Sequence, residues 1–161
     1  MRKIIKAIHT LPKPVLFTRD GFEKMKAEYE ELEKQRPHAV SELKRAREMG
    51  DLSENGFYKG ARAKLSQVDS RLRHLKELIK RAQIKEKTSS DIIEIGTTVV
   101  LFNGTEEVTY TIVGGFESNP SEGRISHVSP LGSQLIGKKT EEKIIIITPG
   151  GKVEYIIRNI S

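Results

Sequence analysis

The sequence predicts an α+β chain: a long antiparallel α-helical coiled-coil hairpin at the N-terminal side, followed by a small α+β domain. Three observations predict it. Two heptad-patterned segments flank a short polar turn, Gly50-Asp51-Leu52-Ser53-Glu54-Asn55. From about Ile95 the pattern changes to short runs of β-branched and aromatic residues divided by glycine turns. The length, 161 residues, suits one chain of two such parts.

The first segment carries small or apolar residues at Phe22, Met25, Tyr29, Leu32, Ala39, Leu43 and Ala46. The second carries Tyr58, Ala61, Leu65, Val68, Leu72, Leu75, Ile79 and Ala82. Alternating steps of three and four mark the seam of a helix pair. A connection this short makes the two arms antiparallel neighbours. Thr18 is the expected N-cap of a helix from about Arg19 to Met49, with Asp20 and Glu23 where the helix dipole favours negative charge. Such a helix is about 45 Å long. Arg36 falls on the seam, where its stem can lie along the partner while its head reaches solvent. Pro37 removes one backbone hydrogen bond, but the apolar phase continues past it, so a kink is expected rather than a break. The polar stretch Lys85 to Ser90 is expected to end the second arm.

Charge is unevenly spread along the arm. Glu23, Glu28, Glu30, Glu31 and Glu33 make its base acidic. Nearer the turn, Lys44, Arg45, Arg47, Lys59, Arg62 and Lys64 outnumber Glu48, Asp51 and Glu54. A cationic collar below an anionic point suits a nucleic-acid end or a phosphate-rich cavity, and an ordinary solvated coiled-coil face has the same composition. At the turn, Asp51 and Glu54 form an Asp-x-x-Glu pattern that reads as a capping box, with Ser53 as an alternative cap. The same carboxylates are hard oxygen ligands for a divalent ion such as Mg²⁺. Two are too few for its six-oxygen shell, so a metal role requires ligands from a partner.

Ala46-Arg47-Glu48-Met49-Gly50-Asp51-Leu52-Ser53-Glu54-Asn55, followed by Tyr58, resembles the tip signature of the bacterial Gre transcript-cleavage factors, the GreA/GreB family. The resemblance runs from about Phe17 to the C-terminus. It includes Phe17-Thr18-Arg19-Asp20-Gly21, Arg36-Pro37, Ser129-Pro130-Leu131-Gly132, Leu135-Ile136-Gly137-Lys138-Lys139 and Thr148-Pro149-Gly150-Gly151-Lys152. The later motifs are closer to the GreA branch. The resemblance implies a transcription elongation factor whose arm enters the secondary channel of a backtracked RNA polymerase. It implies that Asp51 and Glu54 there hold a Mg²⁺ shared with the polymerase and promote cleavage of the nascent RNA. Ser53, Asn55 and Tyr58 would support the tip, and Lys44, Arg45, Arg47, Lys59 and Arg62 are candidates for contact with the RNA 3′ end or with DNA. On this reading the chain is an accessory factor rather than an enzyme and binds no cofactor stably. It works in the cytoplasm, at the nucleoid through the polymerase, with no membrane partner and no small-molecule substrate. One departure stands out. The usual Ala-Glu-Tyr-His-Ala-Ala becomes Gly56-Phe57-Tyr58-Lys59-Gly60-Ala61, and each glycine weakens a helix by up to about 1 kcal/mol.

In the second part, Thr97 to Phe102, Val108 to Val113, Ile144 to Ile147 and Val153 to Ile157 are expected strands, the last two joined as a hairpin by Pro149-Gly150-Gly151. Ile144 to Ile147 has no polar alternation and is expected to be a central buried strand. Leu131 to Ile136 is a short helix or turn, and Phe116 and Leu131 are expected to be buried, being candidate docking residues only if exposed. The resemblance implies that this part is FKBP-like and docks at the rim of the polymerase channel. The organisation is then an N-terminal extension over 1–16, the hairpin over 17–85 with its acidic tip at 50–55, a linker over 86–95 and the docking domain over 96–161.

Composition narrows the function classes. There is no cysteine, which excludes disulfides and thiolate metal sites, and the net charge of +6 agrees with a nucleic-acid-rich partner. His9, His38, His74 and His127 have no metal-ligand spacing. No stretch is long and apolar enough to span a bilayer, and residues 1–6 lack the apolar run of a signal peptide. Two alternatives remain open: a channel binder of the same fold that inhibits or regulates without promoting cleavage, and a prolyl isomerase with a helical handle.

Overall fold

The computed structural model describes residues 13–49, 56–88, 91–148 and 151–161. Two long helices dominate its N-terminal half, α1 over Arg19–Glu48 and α2 over Gly56–Arg81. Thr18 begins α1 as expected: extended at φ −71° and ψ 160°, its side-chain oxygen accepts from the Gly21 amide at 3.0 Å. Pro37 lies inside α1, and the helix runs through it. Every seam residue named above is buried or half-buried. Arg36 remains exposed, as expected of its head, and its Nε also reaches across the seam to donate to Asp69 Oδ1 at 2.7 Å. Where the arm is rooted, Phe17, Met25, Leu75 and Leu78 form a small core backed by Phe22, Tyr29 and Ile79. Leu78 stands outside the strict three–four alternation, because here the hairpin packs against more than its partner helix.

Helix α2 stops at Arg81, earlier than the polar run after it suggested. The next residues, Ala82–Ile84 (β2), leave the helix to pair in parallel with Val15–Phe17 (β1), Val15 opposite Ala82 and Phe17 opposite Ile84. Lys85 N extends this pairing with a hydrogen bond to Phe17 O at 2.8 Å. Residues 15 and 16, assigned by sequence to the extension, therefore belong to a strand. The physical reason is that the backbone edge of β1 would be left unpaired if α2 simply continued.

The second half is a five-stranded sheet of β3 (Thr98–Phe102), β4 (Glu107–Val113), β5 (Arg124–Ser126), β6 (Lys143–Thr148) and β7 (Gly151–Ile160), in the order β5-β4-β3-β7-β6. Neighbours are antiparallel except β4 and β5. Its inner face packs Val99, Leu101, Ile112, Ile125, Ile144 and Ile157 with Leu135 from the short helix α3 (Pro130–Leu135). Ile93, in the segment read as a linker, is fully buried in the same core. Leu131 is half-buried against it.

Two expectations about apolar side chains are corrected here. Strand β6 is an edge strand, not a central one. Ile144 and Ile146 point inward, while Ile145 and Ile147 are 56% and 79% exposed. An unbroken apolar run looks like a strand covered on both faces, yet this sheet packs its core on one face only. Phe116, expected inside, is 58% exposed.

Candidate functional site

Toward its far end the arm carries small seam residues. Near it Ala46, the last described seam residue of α1, and Ala61 of α2 are buried, with Tyr58 half-buried beyond Ala61. Small side chains at a seam let helix axes approach toward the short end of the usual ~8–10 Å range. Around this seam Lys44, Arg45, Arg47, Lys59 and Arg62 are all exposed. None of the five forms an ion pair among the described residues. The sixth cation, Lys64, is engaged: its Nζ lies 2.8 Å from Glu42 Oε2. That hydrogen bond is the main reason the Glu42 carboxyl sits below the usual carboxylate range. His38 Nδ1 adds a contact at 3.4 Å to the other oxygen of Glu42.

Tyr58 is half-buried, in keeping with its heptad phase, and the neighbouring Phe57 is 52% exposed. A Cβ added at Gly56 or Gly60 would meet nothing within 4 Å, so neither glycine is needed for packing among the described residues. Asp51, Ser53, Glu54 and Asn55 lie outside the described residues, as does the capping-box reading of Asp51 and Glu54. Among the described residues no group of three or more His, Asp or Glu side chains is arranged to hold a metal ion.

A second constellation, at the root of the arm, escaped the sequence. The turn Gly115–Glu117, between β4 and β5, carries Phe116 and Glu117 to the start of α1. The Phe116 ring stacks on Phe17 with centroids 6.4 Å apart and meets His74 edge-on at 5.8 Å. Glu117 Oε1 accepts from the Thr18 amide at 2.8 Å and from the Gly114 amide at 3.2 Å, and Oε2 accepts from the Thr18 hydroxyl. Nothing in the sequence couples Glu117 to Thr18, 99 residues away. The one usable signal was Gly21, a glycine in a helical first turn that propensity disfavours.

Known proteins divide the chain in the same two parts. Residues 15–84 match the family described as transcription elongation factor, N-terminal, and residues 87–161 match transcription elongation factor, GreA/GreB, C-term. The chain is 42% identical over 142 residues to the transcription elongation factor GreA of a Nitratiruptor species, covering 86% of this chain and 87% of that one. To the GreA of Roseiflexus castenholzii it is 40% identical over 153 residues, covering 92% and 98%. Among solved structures, the GreA factor homolog 1 protein of Thermus thermophilus gives a TM-score of 0.45 at 25% identity, covering 92% and 99%. No helix among the described residues is long and apolar enough to cross a membrane. With both halves matched and two relatives this similar over most of their length, the chain belongs to the GreA/GreB family of transcription elongation factors.

Proposed function

We propose that this chain binds RNA polymerase, passes its arm into the secondary channel and stimulates the polymerase's own cleavage of backtracked nascent RNA. The observation that carries the reading is the end of the arm. Ala46 and Ala61 are buried there, five exposed cations stand near them without ion pairs among the described residues, and two carboxylates, Asp51 and Glu54, lie between the two helices in the sequence. Family membership agrees with it. In this reading Lys44, Arg45, Arg47, Lys59 and Arg62 attract the phosphates of the RNA end, each by a screened but additive attraction. Asp51 and Glu54 supply hard oxygen ligands to a Mg²⁺ shared with the polymerase, which supplies the rest of the shell. Such an ion would polarise the attacking water or stabilise the leaving oxygen. Two carboxylates are hard oxygen donors that suit such an ion but are too few for its six-oxygen shell, so the remaining ligands must come from the polymerase or from water. In this reading the chain acts as an accessory factor, lending ligands to an active site owned by the polymerase. Ser53 and Asn55 orient the carboxylates, Tyr58 supports the tip from its half-buried position, and the sheet domain docks at the channel rim.

The test is RNA cleavage in stalled, backtracked polymerase. Asp51→Asn and Glu54→Gln are each expected to lower stimulated cleavage by on the order of a hundredfold, because removing a metal ligand or its support costs about that much. Polymerase binding should stay near the parent's. Variants as active as the parent would remove the carboxylates from the mechanism. Inhibited extension with no short RNA released would instead identify a regulator of the channel.

A further inference from the structure

We infer that Glu117 is a positioning residue: its carboxylate latches the sheet domain to the first turn of α1 and so fixes the direction in which the arm points. The inference rests on the function proposed above, in which docking and chemistry are done by opposite parts of the molecule. Three features of the joint support it.

The carboxylate is shared between the two halves. One oxygen holds the Thr18 amide and the Gly114 amide together, and the other takes the Thr18 hydroxyl. Thr18 in turn caps α1 through Gly21. A single side chain of the sheet domain thus completes the start of the arm helix, whose first amides have no partner within the helix.

Space for the carboxylate is left by glycine on both sides. A Cβ at Gly21 would overlap the Glu117 carboxylate, and a Cβ at Gly114 would overlap the Leu16 carbonyl oxygen. Alanine would favour the helix at Gly21. The position therefore trades helix propensity for close approach of Glu117.

The lever is long. An arm of 30 residues reaches about 45 Å, so a rotation of ~10° at its root carries the tip by about 8 Å. Displacements of about 1 Å are enough to cost a positioned group a hundredfold in rate. The aromatic contact of Phe116 with Phe17 and His74 sits beside the latch, but stacked rings can slide where a carboxylate with three donors cannot.

The test uses the full chain. Because it has no cysteine, Gln67→Cys on α2 and Thr140→Cys on the sheet domain, both exposed positions, give one spin-label pair whose distance distribution reads the joint directly. Glu117→Ala removes the latch. Gly21→Ala displaces the flexible end of Glu117 while favouring the helix, so a purely structural role for the joint predicts no loss from it. Glu117→Gln retains an acceptor for the Thr18 amide and is the rescue control. The expected result is a broadened distance distribution for Glu117→Ala and Gly21→Ala and a narrow one for Glu117→Gln. In the polymerase assay the first two should lose on the order of tenfold in cleavage rate at saturating factor, with less than about a threefold change in the half-saturating concentration. Narrow distributions in both variants, or broadened ones with an unchanged saturating rate, would overturn the inference. A parent that stimulates no cleavage would overturn the proposed function instead, and the distances would still decide whether the latch exists.

Discussion

The two ends of the arm are built on opposite plans. At the root, large side chains meet: Phe17, Met25, Leu75 and Leu78 are buried together, and charges are matched across the seam or to the sheet side. Arg71 holds Glu28 at 2.7 Å and Arg19 pairs with Glu86, and midway along the arm Arg36 holds Asp69 at 2.7 Å. Toward the tip the buried seam residues are the small Ala46 and Ala61, two exposed glycines lie in the first turns of α2, and five exposed cations form no ion pair among the described residues. The difference teaches where stability and function are placed. Burial and charge pairing anchor the rod where it joins the body. Small seam residues and available positive charge lie at the end that, in the proposed function, meets the polymerase, where a bulky core would limit entry and paired charges would have nothing left to offer.

Substitutions at the two ends can break this contrast, and the largest effect belongs at the root. Leu75→Ala should lower the stability of the hairpin by about 2–5 kcal/mol in urea unfolding, since it opens a cavity where large side chains converge at the root of the arm. A loss below about 1 kcal/mol would show that the root is not the anchor. Next comes Ala46→Leu at the tip, which overfills a seam with no room and should cost about 1–3 kcal/mol. It should also weaken cleavage stimulation beyond its effect on folding, because it thickens the tip. Gly60→Ala sharpens the comparison in the other direction. With open space around its Cβ, it should stabilise the chain by up to about 1 kcal/mol in thermal unfolding. Cleavage should persist if the tip's looseness is incidental.

The smallest effect concerns the matched charges. The hydrogen bond from Arg71 holds the Glu28 carboxyl below its usual range. A lowered folded-state value stabilises the chain above the unfolded value of 4.5 and is lost as pH falls through the folded one. Both side chains are nearly half exposed, at 47% and 43%, so the pair is worth only about 0.2–1 kcal/mol. Glu28→Gln should therefore cost that little at neutral pH and progressively less as the pH falls below 4.5 through the folded value, as read by urea unfolding across that range.

The arm was legible in the sequence because its information is local. A seam repeats every three or four residues, and Thr18 announces a helix start within the next turn. Strands β3, β4, β6 and β7 were legible for the same reason, from β-branched runs closed by glycine turns. What stayed hidden depends on partners distant in the chain. The pairing of β1 with β2 joins residues 67 apart, Val15 with Ala82, and ends α2 at a point its own composition does not mark. Glu117 looks like any loop acid until it is seen against Thr18. The run Ile144 to Ile147 misled because hydrophobicity reports a preference for burial, while the place of a strand in the sheet order decides whether one face or two are covered. The tip chemistry was readable only as residue types and spacing, and Asp51 and Glu54 fall outside the described residues.

The central claim is that the tip lends magnesium ligands to the polymerase, and the magnesium dependence of cleavage tests it most directly. In backtracked complexes saturated with factor, the parent should lower the Mg²⁺ concentration needed for half-maximal cleavage. Asp51→Asn should raise it by about tenfold or more, at unchanged polymerase affinity. An Asp51→Asn protein with the parent's magnesium curve would contradict the account.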